Sequence, residues 1–215
     1  MNISVFIVNH VAENCYILWN GKGSEAIIID PGMCNKRERD AVDSFIKDND
    51  LRLKCVLLTH QHFDHILSAS YLADKYGVEV QASKADNYLG ERLPQQAADF
   101  GLPYECEPIT VTHGLKDRDK IELNGEYIEV LEVPGHSPGG LAFYLAESGC
   151  VIAGDSLFRR SIGRTDLPGG DADQLISSLR KQLLSLPDDT VVYCGHGEAT
   201  EIGEENRLNP YILYY

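Results

Sequence analysis

The sequence predicts an α/β fold in which two sheets face each other with helices outside, formed by a single domain over residues 1–215. Strand-like segments and turns alternate in the first third and in the middle, and amphipathic helical segments follow each group. A length of 215 residues with 43% hydrophobic residues is enough for one packed core. A doubly wound parallel sheet is less favoured, because the middle strands follow one another without helices between them.

The first half of the chain is predicted to form one sheet and its helices. The predicted strands, rich in β-branched and aromatic residues, cover residues 3–8, 15–19, 26–29, 53–59 and 78–81. Residues 53–59 are nearly continuously apolar, which indicates a strand buried on both faces. Apolar residues at helical spacing predict helices over residues 37–47 and 66–76, and a polar helical excursion over 85–100.

The second half is predicted to form the other sheet, with mostly antiparallel strands. Its predicted strands cover residues 109–112, 120–123, 127–133, 141–145, 150–153 and 190–193. Helices are predicted over residues 172–186 and 203–208. The tail, residues 211–215, is rich in tyrosine and is expected to pack into the core, with a homodimer contact as the alternative.

Charge and cysteine usage restrict the partners and the compartment. Nineteen Lys and Arg against thirty-three Asp and Glu give a net charge of −14, which disfavours nucleic acid as a partner. No apolar run approaches the roughly 20 residues of a membrane span, and the N-terminus resembles a first strand, not a signal peptide. The six cysteines occur singly, so we expect a cytoplasmic protein with reduced thiols and no membrane partner.

One short segment carries the strongest chemical signal. His60, His62, Asp64 and His65 lie within six residues, directly after a predicted buried strand. Alternate residues of an extended chain point to one side, so His60 and His62 are expected to face a common point. Asp64 and His65, where the backbone turns into a helix, can face a second point nearby. Imidazole and carboxylate ligands suit zinc or iron, so the segment predicts a metal site.

Three further polar residues have the same placement after a predicted strand. They are His136 in Pro-Gly-His-Ser-Pro-Gly-Gly, Asp155 in Ala-Gly-Asp, and His196 in Cys-Gly-His-Gly. Each is unspecific alone, but together with the first segment they complete a set of seven ligands. His10 and His113 lack such a setting, and we expect both to be structural or exposed.

This set of residues resembles the five-motif pattern of the metallo-β-lactamase superfamily over nearly the whole chain. The resemblance implies a four-layer αββα sandwich with two divalent metal ions at one edge, zinc first, with iron or manganese as alternatives. It implies two ligand groups and one bridging carboxylate: His60, His62 and His136 for the first ion, Asp64, His65 and His196 for the second, and Asp155 between them.

Other residues narrow the branch of the superfamily. True β-lactamases of the superfamily usually have Cys where Asp155 stands, which argues against antibiotic hydrolysis. Flavodiiron oxygen reductases have Glu where His62 stands, which argues against that branch. The stretch at 154–166, with Gly-Asp-Ser-Leu-Phe and a later Gly-Arg, resembles glyoxalase II-like thioesterases and the related persulfide dioxygenases. The chain lacks the length after His196 for the helical domain with which two-domain glyoxalase II enzymes recognise glutathione, so the thiol carrier stays open.

The resemblance implies hydrolysis of small thioesters by a hydroxide that bridges two metal ions, with Asp64 as a catalytic residue that orients it. One alternative is a persulfide dioxygenase with a single iron ion on His60, His136 and Asp155. Another is a metallohydrolase of a different small ester or lactone. A binding module without catalysis is disfavoured, because a complete ligand set has no role in packing.

Arginines concentrated near the site predict the charge of the substrate. Arg159, Arg160 and Arg164 stand within six positions of an acidic chain. Arg164 follows a turn where relatives contact substrate, so we predict that Arg164 and Arg160 bind a small anionic thioester through its carboxylate. The alternative is that these arginines only brace their loop.

Overall fold

Two six-stranded sheets face each other in the computed structural model, which describes residues 1–102 and 106–214. The first sheet runs in chain order: β1 (Asn2–Val8), β2 (Glu13–Trp19), β3 (Glu25–Ile29), β4 (Arg52–Leu57), β5 (Glu79–Ala82) and β6 (His113–Gly114). β1, β2 and β3 pair antiparallel, whereas β3 to β6 are parallel. The carboxyl ends of β3, β4 and β5 therefore lie along one edge.

The second sheet is mostly antiparallel. The remaining strands are β7 (Lys120–Leu123), β8 (Glu126–Glu132), β9 (Leu141–Leu145), β10 (Cys150–Gly154), β11 (Leu157–Phe158), β12 (Ser161–Ile162), β13 (Val191–Cys194) and β14 (Thr200–Glu201). The order in the sheet is β14-β13-β10-β9-β8-β7, and β11 and β12 form a separate hairpin. Only β10 and β13 pair in parallel in this sheet, so their carboxyl ends also share an edge.

Helices cover the outer face of each sheet. Beside the first sheet lie α1 (Lys36–Asp48), α2 (Phe63–Ile66), α3 (Ala69–Tyr76), α4 (Asn87–Glu91) and α5 (Leu93–Asp99), with a 3₁₀ turn at Lys84–Asp86. Beside the second lie α6 (Ala172–Ser178), α7 (Ile202–Leu208) and α8 (Pro210–Tyr214), and a π-helical turn at Leu179–Leu183 continues α6. None of these helices is both long and apolar enough to cross a membrane.

Three apolar layers hold the elements together. Ile27, Leu57, Phe143 and Ile152 are fully buried between the sheets. The outer layers pack the helices on each sheet, for example through Val42 of α1. This arrangement confirms the predicted four-layer αββα sandwich formed by a single domain.

Local sequence explains where the helices begin and end. The side chain of Asn35 accepts the backbone N–H of Glu38 at 3.0 Å and caps α1. The α3 helix ends at Gly77, whose φ of 66° is a left-handed conformation that glycine adopts without strain.

Residues 85–100 are helical as predicted, but they form a 3₁₀ turn and two short helices, with Arg92 at the break between α4 and α5. Two other details of the sequence prediction are wrong. Residues 109–112 form no strand, because Ile109 packs against Gly90 of α4, and pairing with β5 begins only at His113.

The predicted core packing of the tail is also wrong for the residues that the structure describes. Tyr211, Leu213 and Tyr214 of α8 are 46%, 50% and 86% exposed, and only Ile212 packs against the core. Tyr215 lies outside the described residues. The homodimer contact stays a prediction.

Candidate metal centre

Four strand ends deliver the predicted ligands to one edge of the sandwich. His60 and His62 follow β4, and the short α2 presents Asp64 and His65 one turn later. His136 follows β8, Asp155 follows β10, and His196 follows β13. The structure thus brings together all seven ligands predicted from the sequence, whereas His10 and His113 are exposed elsewhere.

The first ligand cluster consists of His60, His62 and His136, all buried. Nδ1 of His62 lies 2.9 Å from Nε2 of His136, and that nitrogen lies 3.3 Å from Nε2 of His60. Three imidazole nitrogens therefore converge on one point, with the rings close to perpendicular to one another.

The second ligand cluster consists of Asp64, His65 and His196. Oδ2 of Asp64 lies 3.1 Å from Nε2 of His196 and 3.5 Å from Nε2 of His65. The His65 side chain is fully buried, whereas a quarter of the His196 side chain is exposed. This cluster therefore combines two imidazoles with a carboxylate and opens toward solvent through His196.

Asp155 lies between the two clusters. Its Oδ1 is 3.4 Å from Nε2 of His65, and its Oδ2 is 3.7 Å from Nε2 of His136 and of His196. The preceding Gly154 adopts a left-handed φ of 51°, and a Cβ there would collide with Thr59. A Cβ at Gly195 would collide with Oδ1 of Asp155, so glycine is required for the close approach.

Hydrogen bonds behind the ring of His60 fix which nitrogen faces the site. The Thr59 hydroxyl donates its hydrogen to Oδ2 of Asp30 at 2.6 Å. Toward Nδ1 of His60, at 3.1 Å, it can therefore only accept. Nδ1 of His60 carries the ring hydrogen, which leaves Nε2 free as a metal ligand.

Two other histidines are oriented by backbone carbonyl oxygens. Nδ1 of His136 donates to the carbonyl of Arg164 at 2.8 Å, and Nδ1 of His196 donates to the carbonyl of Val11 at 3.1 Å. A carbonyl only accepts, so Nδ1 carries a hydrogen in both rings, and Nε2 is the nitrogen that either ring can offer to a metal ion. His62 differs, because it presents Nδ1 to the first cluster.

The two clusters differ in how their surroundings shift the pKa of their groups. Burial lowers the pKa of His60 well below its ordinary value, and burial together with His136 lowers the pKa of His62 to about 4. For His65, burial opposes protonation, but the carboxylates of Asp64, Asp155 and Asp30 raise its pKa well above the ordinary value. Burial therefore keeps His60 and His62 of the first cluster neutral, whereas the second cluster is rich in charge.

The carboxyl groups of the site show the matching shifts. Burial alone would raise the pKa of Asp64 and of Asp155, but His65 and His196 beside them lower both values below the ordinary range. The raised pKa of His196 has the same origin: burial is the largest single cause and opposes the rise, but the hydrogen bond to Asp64 and the charges of Asp155 and Asp64 together outweigh it.

The donor set fits a pair of transition-metal ions. Nε2 of His65 and Oδ1 of Asp155 are buried, and neither has a hydrogen-bond partner in the described residues. Buried polar atoms without partners are costly, and a metal ion between them supplies the missing interaction. Tetrahedral zinc with Zn–N bonds of about 2.05 Å places its ligand nitrogens roughly 3.3 Å apart, close to the spacing in the first cluster.

Three buried acidic residues around the site were not predicted from the sequence. Asp30 accepts the backbone N–H of Thr59 at 2.7 Å and faces Nδ1 of His65 at 3.0 Å. Asp30 follows β3 directly, so the strand-end signal that selected Asp155 could have found it. Asp30 also lies near His60, but its oxygens already accept hydrogen bonds from Thr59. We therefore infer that Asp30 orients His65 and is not itself a metal ligand.

Asp86, at the end of the 3₁₀ turn, holds the loops of the first cluster. Its carboxylate accepts from the backbone N–H of Gly139 at 2.6 Å, the Ser137 hydroxyl at 2.7 Å and the backbone N–H of Gln61 at 3.3 Å. Burial raises its pKa, although these hydrogen bonds oppose the rise. Nothing in the local sequence marks Asp86.

Glu13 is the third of these residues. Its side chain is fully buried, its oxygens have no hydrogen-bond partner among the described residues, and Oε1 lies 3.9 Å from Nδ1 of His65. Burial is the main cause of its strongly raised pKa, and the nearby carboxylates add to it.

The predicted substrate arginines occupy different surroundings. Arg164 lines a cavity of about 180 Å³ together with Asp64, His136, Asp155 and His196. Its guanidinium forms two hydrogen bonds with Asp166, at 2.7 and 2.8 Å. The cavity above the metal ligands therefore has a cation at its rim.

The guanidinium groups of Arg160 and Arg159 pair with acidic residues instead. Arg160 pairs with the buried Glu205 at 3.0 Å and with Glu204 at 3.4 Å, and Arg159 pairs with Glu198. These contacts brace the loop as the alternative proposed, and a role of Arg160 in substrate binding stays a prediction.

Comparison with known proteins agrees with this geometry. Hydroxyacylglutathione hydrolase GloC of Haemophilus influenzae is 41% identical over 213 residues, covering 99% of this chain and 98% of that protein. The crystal structure of BLEG-1 B3 metallo-beta-lactamase superposes with a TM-score of 0.88 at 31% identity, covering 99% and 100% of the two chains. TTHA1623, solved in a di-iron-bound form, superposes with a TM-score of 0.84 at 37% identity, covering 97% of this chain and 99% of that chain.

The family model of the metallo-beta-lactamase superfamily matches residues 8–196, a range that begins before β2 and ends at the last predicted ligand. With this match and the full-length relatives, the chain belongs to the metallo-β-lactamase superfamily.

Proposed function

We propose that this protein is a dinuclear zinc hydrolase of small thioesters, similar to glyoxalase II. The observation that carries the proposal is the position of Asp155, whose two oxygens face ligands of both clusters. A carboxylate in this position would be shared by two ions, as a two-metal hydrolase requires. The similarity to a protein named hydroxyacylglutathione hydrolase supports the thioester as substrate.

The residues divide into two sets of ligands that share Asp155. His60, His62 and His136 would hold the first ion, and Asp64, His65 and His196 the second. A bound pair of divalent ions supplies polarisation of the substrate carbonyl and a source of hydroxide near neutral pH.

Asp64 is positioned to accept a hydrogen bond from the attacking water. Its Oδ2 faces His65 and His196, whereas its Oδ1 forms no hydrogen bond with any described residue, and the side chain lines the cavity. A carboxylate oxygen facing the reacting water can accept a hydrogen bond from it and so orient it for attack. The low pKa that His65 and His196 impose on Asp64 keeps this oxygen ionised.

Hydrolysis then proceeds without a protein nucleophile. Water oxygen bonds to the acyl carbon, the carbon–sulfur bond breaks, and the departing thiolate takes up a proton, giving a carboxylic acid and a thiol. Arg164 at the cavity rim binds a substrate carboxylate in exchange for Asp166, which orients the thioester for attack.

The mononuclear-iron alternative would use only His60, His136 and Asp155. It leaves the buried Nε2 of His65 without a partner, and this observation favours the two-metal hydrolase. A β-lactam is a second candidate substrate, favoured by the likeness over full length to the protein titled a B3 metallo-beta-lactamase.

Metal content and a substrate panel test the proposal together. Protein produced in zinc, iron and manganese media is analysed for metal, then assayed with S-lactoylglutathione, a simple acetyl thioester, a lactone, nitrocefin, and a persulfide with an oxygen electrode. We expect two metal ions per chain and thioester turnover that is highest with zinc. Oxygen consumption with one iron per chain, or turnover of nitrocefin alone, would reject the thioesterase.

A further inference from the structure

A second cavity, of about 320 Å³, opens beside the metal centre. It shares His62, Phe100 and Leu167 with the smaller cavity of about 180 Å³ above the ligands, so the two are adjoining compartments. The larger compartment is formed mainly by the short helices α4 and α5 and by the segment at Leu167 and Pro168. A substrate whose scissile bond lies at the metal centre can therefore extend one arm into it.

This compartment contains an arginine that forms no salt bridge with any residue that the structure describes. Arg92 lines it, and within residues 1–102 and 106–214 its guanidinium has neither a hydrogen bond nor an ion pair. The carboxylate of Asp99 lines the same compartment, but it accepts from the Gln95 amide at 2.7 Å. In a chain of net charge −14, a cation left without a carboxylate inside a cavity is available to an anionic ligand.

Aromatic side chains give the compartment an apolar wall. Tyr88 and Phe100 are 37% and 51% exposed, and both line this cavity. Phe100 packs on Phe63 with ring centroids 4.6 Å apart, and the Tyr88 hydroxyl donates to the carbonyl of Pro168 at 2.9 Å. Both rings are therefore anchored, and their open faces suit a flat apolar group.

We propose that this compartment binds the larger arm of the thioester, and that this arm is an apolar or aromatic group bearing a carboxylate. Arg92 pairs with the carboxylate, and Tyr88 and Phe100 pack against the apolar part. The assignment to a thioester rests on the proposed function, whereas the preference for an aromatic carboxylate rests on this cavity alone. Arg164, already paired with Asp166, serves the compartment above the ligands instead.

The kinetic test compares two substrates that differ only in this charge. They are the S-acetyl thioesters of 4-(mercaptomethyl)benzoate and of 4-(mercaptomethyl)benzamide. Arg92→Gln should raise KM for the benzoate about five- to tenfold, leave kcat unchanged and spare the benzamide. The helix boundary is kept by backbone hydrogen bonds, from the Arg92 N–H to Leu89 and from the Gln96 N–H to Arg92, so the variant should fold.

Arg37→Gln is the matched control. Arg37 is also exposed and also lacks a salt bridge among the described residues, but it lies on α1, away from both cavities. Its substitution removes the same charge and should leave both substrates unaffected. An equal KM rise for benzoate and benzamide in Arg92→Gln, or an equal effect of Arg37→Gln, would overturn the inference.

A binding measurement separates this inference from the proposed reaction. Ligand-observed NMR with 4-methylbenzoate and 4-methylbenzamide on the metal-loaded native protein needs no turnover. We expect the benzoate to bind more tightly than the amide, and Arg92→Gln to remove that difference. If benzoate binds equally well to the variant, for example through the metal ions, the inference is wrong. If no thioester is hydrolysed but Arg92 still selects the benzoate, the proposed function fails and the cavity assignment stands.

Discussion

The two ligand clusters are held in place by different means. In the first cluster, Asp86 holds the loops that carry His62 and His136, by accepting from the backbone N–H groups of Gln61 and Gly139 and from the Ser137 hydroxyl. In the second, Asp30 acts directly on a ligand ring, with its carboxylate 3.0 Å from Nδ1 of His65. One cluster is positioned through its loops and the other through a charged side chain.

The difference teaches which property each metal position depends on. The first cluster consists of three imidazoles and contains no carboxylate of its own, so its affinity for metal depends on their geometry. The second contains Asp64 and lies against Asp30, so its affinity also depends on charge. Substitutions that move a loop should affect the first position, and substitutions that remove a charge should affect the second.

Asp155→Ala should have the largest effect, because it removes the residue that both clusters share. Without the carboxylate, two neighbouring cations repel each other with no anion between them. We expect both metal ions to be depleted and thioester hydrolysis to fall to background, while circular dichroism shows a folded domain. A variant with two metals per chain would contradict the bridging position.

Substitution of one ligand in each cluster tests whether the clusters are separable. His136→Ala and His196→Ala should each lose one metal ion of two and lower kcat/KM by more than the roughly 100-fold typical of groups outside the ligand sphere. Metal analysis and turnover measure both effects. His113→Ala, at an exposed histidine outside both ligand clusters and outside the cavity above them, is the control. Loss of both ions from either variant would show that the clusters bind metal as one unit.

Asp30→Asn should lower the metal affinity of the second cluster, or the activity, about 10- to 100-fold. Both oxygens of Asp30 accept hydrogen bonds, so the amide places a donor against the Thr59 N–H or against Nδ1 of His65. Competition with a chelator should release one metal ion early and keep the other. Early release of the ion from the first position would contradict the role assigned to Asp30.

Asp86→Asn should act on the first position and on stability. The amide leaves a buried backbone N–H or the Ser137 hydroxyl unpaired, which costs on the order of 1–3 kcal/mol. Thermal unfolding should show a lower Tm, and chelation should remove the first metal more easily than in the native protein. Unchanged first-site affinity would leave Asp86 a purely structural residue.

Arg164→Ala should have the smallest effect. The exposed guanidinium lies at the rim of the cavity, so we expect KM for a carboxylate-bearing thioester to rise at most about fivefold, with kcat and neutral thioesters unaffected. Metal content should not change, because the residue supports His136 through its backbone carbonyl. Equal losses on charged and neutral substrates would indicate that Arg164 only braces its loop.

The ligands could be predicted from the sequence because they obey a local rule. Four lie in one short segment, and His136, Asp155 and His196 each follow a strand. The residues that support them obey no such rule. Asp86 reaches the first cluster only because β5 is parallel to β4 and delivers the following turn to the same edge. Such contacts depend on the packed tertiary structure, and sequence spacing does not encode them.

The larger cavity shows the same limit. The polar residues 85–100 predict helix, and only folding reveals a break at Arg92 that exposes a cation beside two aromatic rings. Helical periodicity describes which residues share a face, but it does not indicate where a short helix ends against a neighbouring loop. The substrate-facing surface was therefore less predictable than the metal ligands.

The backbone and the side chain of Arg164 have separate roles in the site. Its carbonyl oxygen orients His136, and its side chain faces the cavity. Every residue has a backbone carbonyl, so a substitution at this position can change the side chain while His136 keeps its hydrogen bond. Selection for a new substrate can therefore act on this position with little risk to catalysis, which makes it a natural starting point for divergence among relatives and for laboratory evolution.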